Sequence, residues 1–218
     1  MDVDGTTRPD HPLGHLRQFV RRKRNREACE LCSQELSGEH SHLLEIPTRK
    51  LLCSCEGCSL LFSSQASSRY RRVPRQTRKL LNFRMSENDW DALLIPINMA
   101  FFSKSGPTGN VTALYPSPAG ATESLLPVEG WTCIVQSNPV LNEMEPEVEA
   151  LLVNRLLYSQ GQGSAEYFIA PIDECYRLTG LIRMHWRGLS GGTEVWQEIN
   201  NFFQQLNSKC TVAANSYA

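Results

Sequence analysis

Four cysteines in the front part of the chain have the spacing of metal ligands. Cys29 and Cys32 form one Cys-x-x-Cys motif, Cys55 and Cys58 form a second, and 22 residues separate the two motifs. Two residues between thiolates let one tight turn present both sulfur atoms to a single ion, and two such turns complete a tetrahedral site of four sulfurs. The spacing therefore predicts a metal site. Zinc is the expected ion because it is stable with four thiolates and needs no redox chemistry.

Iron is the alternative ion, because a mononuclear iron site of the rubredoxin kind uses the same four-sulfur geometry. Neither motif continues with the Pro and Gly usual in such sites, and no aromatic residue lies between Cys29 and Cys58. An iron–sulfur cluster is a further option, but the spacing does not match a ferredoxin pattern. Cysteines without any metal are the least favoured interpretation, because a segment this short has too little core to fold without a staple.

Three more potential ligands lie beside the two motifs. Cys53 precedes Cys55 by two residues, so on a strand both side chains project to the same face. Cys53 is a possible alternate ligand, and so are His40 and His42, although histidines in such positions usually serve as surface groups or hydrogen-bond partners of ligands. This excess of ligands also supports the hypothesis of a metal-transfer or sensing site beside a filled one.

The net charge of −1 hides two halves of opposite sign. Residues 1–84 carry 16 Lys and Arg against 9 Asp and Glu, whereas residues 85–218 carry 6 against 14. Basic stretches at residues 17–26 and 69–79 flank the cysteines, and such stretches beside a zinc ribbon are typical of nucleic-acid binding. They lack the interleaved aromatic side chains of single-strand binders. We therefore favour contact with the acidic half of the same chain over contact with nucleic acid.

The compartment follows from segments that the sequence lacks. No run of residues is apolar enough for a membrane span, and the first residues have no apolar segment of the secretory kind. We therefore expect a cytoplasmic protein with no membrane span. In that compartment, closely spaced cysteines are metal ligands rather than disulfide partners.

The pattern of apolar residues divides the chain into four parts. Residues 1–28 are a basic N-terminal tail and helix, residues 29–68 a cysteine-rich, zinc-ribbon-like module with a β-hairpin, residues 69–208 an α+β domain, and residues 209–218 a flexible tail. In the third part, strands cluster as hairpins, a proline-containing loop covers residues 115–120, and two amphipathic helices follow. We predict an α+β fold in which the small module packs on a mixed, mostly antiparallel sheet with C-terminal helices.

The back half offers one pattern associated with catalysis. Residues 188–192 fit Gly-x-Ser-x-Gly, the sequence pattern of a hydrolase nucleophile elbow. An elbow joins a strand to a helix, whereas a helical pattern precedes this segment, and no histidine follows Ser190. No Walker or Rossmann glycine pattern is present. We assign no catalytic residue, and the sequence favours a protein that is not an enzyme.

Several runs of the sequence resemble an uncharacterised bacterial family. In the front half these are Cys-Glu-Leu-Cys, His-Ser-His-Leu-Leu and Leu-Leu-Cys-Ser-Cys-Glu-Gly-Cys-Ser-Leu-Leu-Phe. In the back half they are Tyr-Pro-Ser-Pro-Ala-Gly-Ala-Thr-Glu-Ser-Leu-Leu, Pro-Ile-Asp-Glu-Cys-Tyr-Arg-Leu and Trp-Arg-Gly-Leu-Ser-Gly-Gly-Thr-Glu-Val-Trp. The similarity covers residues 28–206 and includes every cysteine of the cluster. Members of that family are encoded beside genes for uptake nickel–iron hydrogenases of the actinobacterial type. The resemblance therefore implies a hydrogenase-associated accessory or maturation role, and it brings no catalytic residue.

The leading hypothesis is a non-catalytic, zinc-binding accessory protein whose partner is a hydrogenase subunit or another maturation factor. The first alternative is a rubredoxin-like iron protein that passes electrons to or from that enzyme. The second is a zinc-ribbon nucleic-acid-binding regulator that uses the arginine stretches. A colourless, zinc-containing protein would favour the leading hypothesis, and visible iron–thiolate absorption would favour the first alternative.

Overall fold

A computed structural model describes residues 27–63, 69–124 and 130–213. The predicted basic helix lies almost wholly in residues 1–26, outside the described part of the chain. The strands are β1 (Ser41–Glu45), β2 (Lys50–Ser54), β3 (Tyr70–Arg72), β4 (Arg78–Leu80), β5 (Met99–Lys104), β6 (Val111–Ser117), β7 (Gly120–Glu123), β8 (Glu149–Asn154), β9 (Glu166–Pro171) and β10 (Thr211–Ala213). The α-helices are α1 (Glu56–Ser63), α2 (Glu87–Ala92), α3 (Trp131–Ser137), α4 (Leu156–Ser159), α5 (Ile172–His185) and α6 (Gly192–Lys209), and a 3-10 helix spans Pro139–Glu143.

A small antiparallel sheet in the order β2-β1-β3 carries the cysteine-rich segment. β1 and β2 form the predicted hairpin, with Glu45 paired to Lys50 at its closed end. Arg49 adopts a left-handed backbone, with φ of 55°, in the turn between these strands. The third strand, β3, comes from residues 70–72, so the small sheet extends past the predicted module boundary at residue 69.

A larger sheet in the order β10-β4-β9-β8-β5-β6-β7 forms the body of the protein. Every neighbouring pair in it is antiparallel except β10 with β4. All six residues of the central strand β8 are buried, because both faces of the sheet are covered. The mixed, mostly antiparallel sheet and the α+β class are therefore confirmed.

Side chains alternate between the two faces of the large sheet, and each face has its own core. Phe101 packs with the cluster beneath α5 and α6, whereas its neighbour Phe102 packs with the cluster beneath α2 and α3. The long C-terminal helices bury one apolar stripe each and leave the opposite side polar, as their sequence periodicity predicts. Among the described helices, none combines the length and the apolar character needed to cross a membrane.

The small sheet packs against the same core as the C-terminal helices. Leu44 of β1 and Val73, just after β3, are both buried in the cluster that includes Phe168 of β9 and Ile199 of α6. Arg71 donates a hydrogen bond to the backbone carbonyl of Pro146 at 3.0 Å. The cysteine-rich module is therefore attached to the body by shared apolar packing as well as by polar contacts.

One local prediction was wrong. Most of the segment 115–120 is not a loop: β6 continues through Pro116, which pairs with Ala121 of β7, and only residues 118–119 form a turn. Pairing of β6 with β5 ends at Leu114, so the proline occupies a stretch with a partner on one side only, where its missing N–H is tolerated. Residues 211–213, within the predicted C-terminal tail, form β10 and give β4 a second partner at the sheet edge.

Candidate metal centre

The first cysteine pair lies on a tight turn. The backbone N–H of Ser33 donates to the Cys29 carbonyl at 2.8 Å, and the N–H of Cys29 donates to the Gln34 carbonyl at 2.8 Å. Ser33 takes a left-handed backbone with φ of 62°, which reverses the chain directly after Cys32. Cys29 is buried, whereas Cys32 is exposed. The turn thus holds both side chains on the same side of the loop.

The second cysteine pair lies at the start of α1. Cys55 directly precedes the helix, and the N–H of Cys58 in the first turn donates to the Cys55 sulfur at 3.4 Å. The backbone N–H of Ser59 donates to the Cys55 carbonyl at 2.9 Å and begins the helical hydrogen-bond pattern. The N-terminus of a helix is a common position for the thiolate ligands of a metal ion.

The two pairs converge on one point. The four sulfur atoms of Cys29, Cys32, Cys55 and Cys58 all lie within 4.8 Å of one another, and the Cys32 and Cys55 sulfurs are 3.7 Å apart. A disulfide would require about 2.05 Å. A tetrahedral ion with metal–sulfur bonds of about 2.3 Å places its sulfurs about 3.8 Å apart. The four cysteines therefore lie at a separation that fits one metal ion, and the donor set suits zinc and iron alike.

The backbone around the four-cysteine site favours the ionised form of Cys29. Burial raises the pKa of this thiol, but the backbone N–H groups of Cys55, Cys32 and Leu31 donate to its sulfur, and the net effect lowers the pKa to about 6. Burial and the three neighbouring sulfurs raise the pKa of Cys58 to about 12. Four adjacent sulfurs can all carry charge only with a cation between them, so full ionisation of this group requires a bound ion.

The three additional candidate ligands form a group of their own. One ring nitrogen of His40, one of His42 and the sulfur of Cys53 lie within 4.8 Å of one another, separate from the four-cysteine group. His42 bonds through Nδ1 to the Asp173 carboxylate at 2.7 Å. This bond raises the pKa of His42. Sequence reasoning missed Asp173, because it lies 131 residues away and only the packing of α5 against the small sheet brings it here.

Basic side chains of the second basic stretch, residues 69–79, form ion pairs with carboxylates of the same chain. Within the small sheet and α1, Arg69 pairs with Glu45, and Arg72 and Arg75 both pair with Glu56. Three further pairs reach the acidic half: Arg78 pairs with both Glu143 and Glu149, and Lys79 pairs with Glu166. These pairs match the internal contact that the charge division favours. The first basic stretch, residues 17–26, lies outside the described residues.

The Gly-x-Ser-x-Gly segment connects two helices. The first helix, α5, ends at His185, and the second, α6, begins at Gly192. Between them, Arg187 and Gly191 form an isolated β-bridge. The carbonyl of Ser190 accepts a hydrogen bond from the Trp196 indole at 3.3 Å. The segment therefore has the helix-to-helix context that the sequence indicated, not the strand-to-helix context of a nucleophile elbow.

Comparison with known proteins gives one match. A family model described as a family of unknown function, DUF5947, matches residues 28–210 of the chain. Neither the curated proteins nor the solved structures contain a match to the chain. The matched range begins directly before Cys29 and includes both cysteine pairs, the small sheet and the large sheet as far as α6.

Proposed function

Since the chain belongs to the family of unknown function DUF5947, we propose its function from the geometry of the site: it is a non-catalytic, zinc-binding accessory protein. The observation that carries the proposal is the convergence of four cysteine sulfurs within 4.8 Å. Four protein ligands fill a tetrahedral zinc ion and leave no open position for a substrate, which is the arrangement of a structural site. The ion would staple the loop of Cys29 and Cys32 to the start of α1.

The small sheet buries little apolar surface of its own, so a bound metal ion would add to its stability. Its hairpin buries Leu43, Leu44 and Leu52, but it also buries Ser41 and Ser54, whose hydroxyls take part in local hydrogen bonds. A sheet of three short strands with this little apolar surface gains part of its stability from elsewhere. Zinc binding to thiolates supplies folding free energy directly.

The proposed partner is a hydrogenase subunit or a hydrogenase maturation factor. The support is the resemblance of the sequence to a family encoded beside nickel–iron hydrogenase genes. The docking element in this proposal is α1, which starts at the four-cysteine site and has Leu60 on its surface, 53% exposed. A helix held rigidly by a metal ion loses little freedom when a partner binds, which favours affinity.

Metal analysis of the purified full chain tests the metal assignment. We expect a colourless protein that keeps about one zinc ion per chain during dialysis against a weak chelator. Cys32→Ser and Cys58→Ser should lose this zinc. The matched control Cys133→Ser, which removes an exposed thiol on α3, should keep it. Iron with visible thiolate-to-iron absorption would contradict the zinc assignment and favour the electron-transfer alternative.

Binding to purified hydrogenase subunits and maturation factors tests the partner. We expect one of them to form a complex with the zinc-loaded chain, and Leu60→Glu to weaken it while zinc content stays unchanged. Absence of binding to all of them would contradict the accessory role. Salt-dependent binding to duplex DNA without any such complex would favour the regulator instead.

A further inference from the structure

The group of His40, His42 and Cys53 has an arrangement that the four-cysteine site does not explain. His42 of β1 pairs directly with Cys53 of β2, and His40 precedes His42 by two residues. The hairpin pairing brings His42 and Cys53 together, and His40, which directly precedes β1, lies beside His42. The two imidazole rings are in edge-to-face contact, with centroids 4.8 Å apart.

Both histidines are oriented as metal-binding histidines usually are. The Nδ1 atom of His40 lies 3.1 Å from the Ser37 carbonyl oxygen, and that of His42 lies 2.7 Å from the Asp173 carboxylate. Carbonyl and carboxylate oxygens accept hydrogen bonds, so each Nδ1 carries a proton and, in the neutral ring, Nε2 holds the free lone pair. Histidines that bind metals almost always donate their other N–H to such an oxygen.

The His40 side chain has a buried nitrogen atom for which the described residues provide no hydrogen-bond partner. Its side chain is only 7% exposed, and its Nε2 atom is buried with no hydrogen-bond partner in the described part of the chain. A buried polar atom without a partner costs free energy, and native proteins rarely leave one unexplained. A metal ion bound to this lone pair would remove the cost.

The group also has access from solvent. His40 and His42 line a cleft of about 460 Å³ between the small sheet and the start of α5, together with Asp173. Cys53 is half-buried. Three protein ligands leave at least one coordination position of a metal ion unfilled, and the cleft beside the two histidines offers a route from solvent to the group.

We propose that His40, His42 and Cys53 form a second metal site, separate from the four-cysteine site, which binds a divalent first-row transition metal through two nitrogens and one sulfur. Mixed imidazole and thiolate donors suit a borderline-soft ion such as Zn²⁺ or Co²⁺ and disfavour Mg²⁺ and Ca²⁺. Cys53 binds as the thiolate and releases its proton to solvent. The open position makes this a site for exchange of the ion or of a fourth ligand, which goes beyond the structural role proposed above.

The two sites are mechanically connected. Glu30, between Cys29 and Cys32, accepts a hydrogen bond from the backbone N–H of Cys53 at 2.8 Å, and its own N–H donates to the Cys53 carbonyl at 2.9 Å. The loop of the first cysteine pair therefore holds the strand that carries Cys53. An ion in the four-cysteine site fixes this loop and with it the position of the third ligand.

Cobalt titration of the full chain tests the second site. The four-cysteine site is first filled with one equivalent of Zn²⁺, and Co²⁺ is then added. We expect a second equivalent to bind, with d–d absorption and the charge-transfer band of a single thiolate. Cys53→Ser should abolish the charge-transfer band, and His40→Ala and Cys53→Ser should each weaken cobalt binding by about 100-fold or more, the upper limit for loss of a mere supporting group.

Asp173→Ala tests the positioning of His42 without removing a ligand. We expect cobalt affinity to fall about 10–100-fold while the first zinc equivalent stays bound. His185→Ala and Cys133→Ser are matched controls, since they remove a histidine and a thiol far from both groups, and they should change neither site. Unchanged cobalt binding in Cys53→Ser and His40→Ala would overturn the proposal.

X-ray absorption spectroscopy identifies the zinc ligands in the wild-type protein, so this test does not depend on whether the variants fold. With one zinc equivalent, each zinc should have four sulfurs at about 2.3 Å. With two equivalents, the mean sulfur count should fall to between two and three, and nitrogen at about 2.0–2.1 Å should appear. Failure to bind a second equivalent overturns the second site alone, whereas absence of the all-sulfur signal at one equivalent overturns the four-cysteine site.

Discussion

Glu149 and Arg155 are buried ionisable side chains that are compensated in different ways. Glu149, whose side chain is 7% exposed, accepts hydrogen bonds from the backbone N–H of Glu145 at 2.8 Å and from Arg78 at 3.3 Å. Arg155, at 4% exposed, pairs with Glu87. Its guanidinium lies 5.0 Å from the ring centroids of both Trp90 and Tyr158. Two other guanidinium nitrogens of Arg155, Nε and Nη1, are buried without a hydrogen-bond partner in the described part of the chain. Taking a charge out of water is costly, and the contacts of these two side chains offset that cost only in part.

Glu149→Gln should change how stability depends on pH. Burial raises the pKa of Glu149 in the folded protein, and this outweighs the hydrogen bond from Glu145 and the charge of Arg78. A raised folded pKa contributes stability that is fully present below the unfolded value of about 4.5 and is lost as pH rises through the folded value. Denaturant unfolding from pH 4 to 7 should show the free energy of unfolding of Glu149→Gln improving, relative to the wild type, as the pH rises. If the difference in the free energy of unfolding between the variant and the wild type stayed the same from pH 4 to pH 7, the prediction would be contradicted.

At the scale of elements, the connection between α5 and α6 depends on glycines. Gly188, Gly191 and Gly192 all have positive φ values, of 61°, 87° and 76°. At Gly191 a Cβ atom would lie 2.9 Å from the Val195 side chain and 3.1 Å from the Trp186 ring. This close approach lets the chain reverse in a few residues, and the two helices then pack against each other and the same sheet face.

Gly191→Ala and Gly180→Ala should have opposite effects on stability. Gly191→Ala forces a side chain into a left-handed backbone and a filled space, which should cost about 2–4 kcal/mol. Gly180 is exposed within α5 and has no atom within 4 Å of the Cβ position, so alanine there should add about 1 kcal/mol by helix propensity. Thermal and denaturant unfolding measure both. A Gly191→Ala variant as stable as the wild type would show that the connection can rearrange.

At the scale of the whole molecule, the two sheets share one core, but they differ in how much apolar core each sheet has of its own. The large sheet buries both faces under helices, whereas the small sheet shares Leu44 and Val73 with the core of its neighbour. The contacts between them join the basic and acidic halves of the chain, as in the pair of Arg49 with Glu147 at 3.7 Å. Stability should therefore be uneven across the molecule, with the small sheet opening more readily.

Metal removal should expose this difference. A strong chelator should remove the hydrogen-exchange protection of the Cys29 and Ser59 amides, because the turn and helix that hold them lose their staple. Amides of β8, such as Leu151, should stay protected, because the large sheet has its own core. Exchange followed by mass spectrometry distinguishes the segments, and Zn²⁺ readdition should restore protection. Equal loss of protection in both segments would show that the two sheets unfold as one unit.

The sequence alone determined the parts of this structure that depend on local spacing. The two Cys-x-x-Cys motifs, the hairpin between them and the amphipathic helices α5 and α6 follow from residue types at fixed intervals, since turns, strands and helices each impose their own period. The α+β class follows from the order of these elements. The convergence of Cys29, Cys32, Cys55 and Cys58 within 4.8 Å agrees with that spacing, although their role as ligands stays a prediction.

Only the tertiary structure decided the contacts between distant segments. β10 beside β4, and Asp173 beside His42, join residues more than 130 positions apart, and no local pattern encodes such pairs. The strand through Pro116 is possible because one of its sides lacks a partner, which is a property of the sheet and not of the residue. His40, His42 and Cys53 were recognisable as spare ligands from the sequence. The carboxylate of Asp173 that orients His42 depends on how α5 packs against the small sheet.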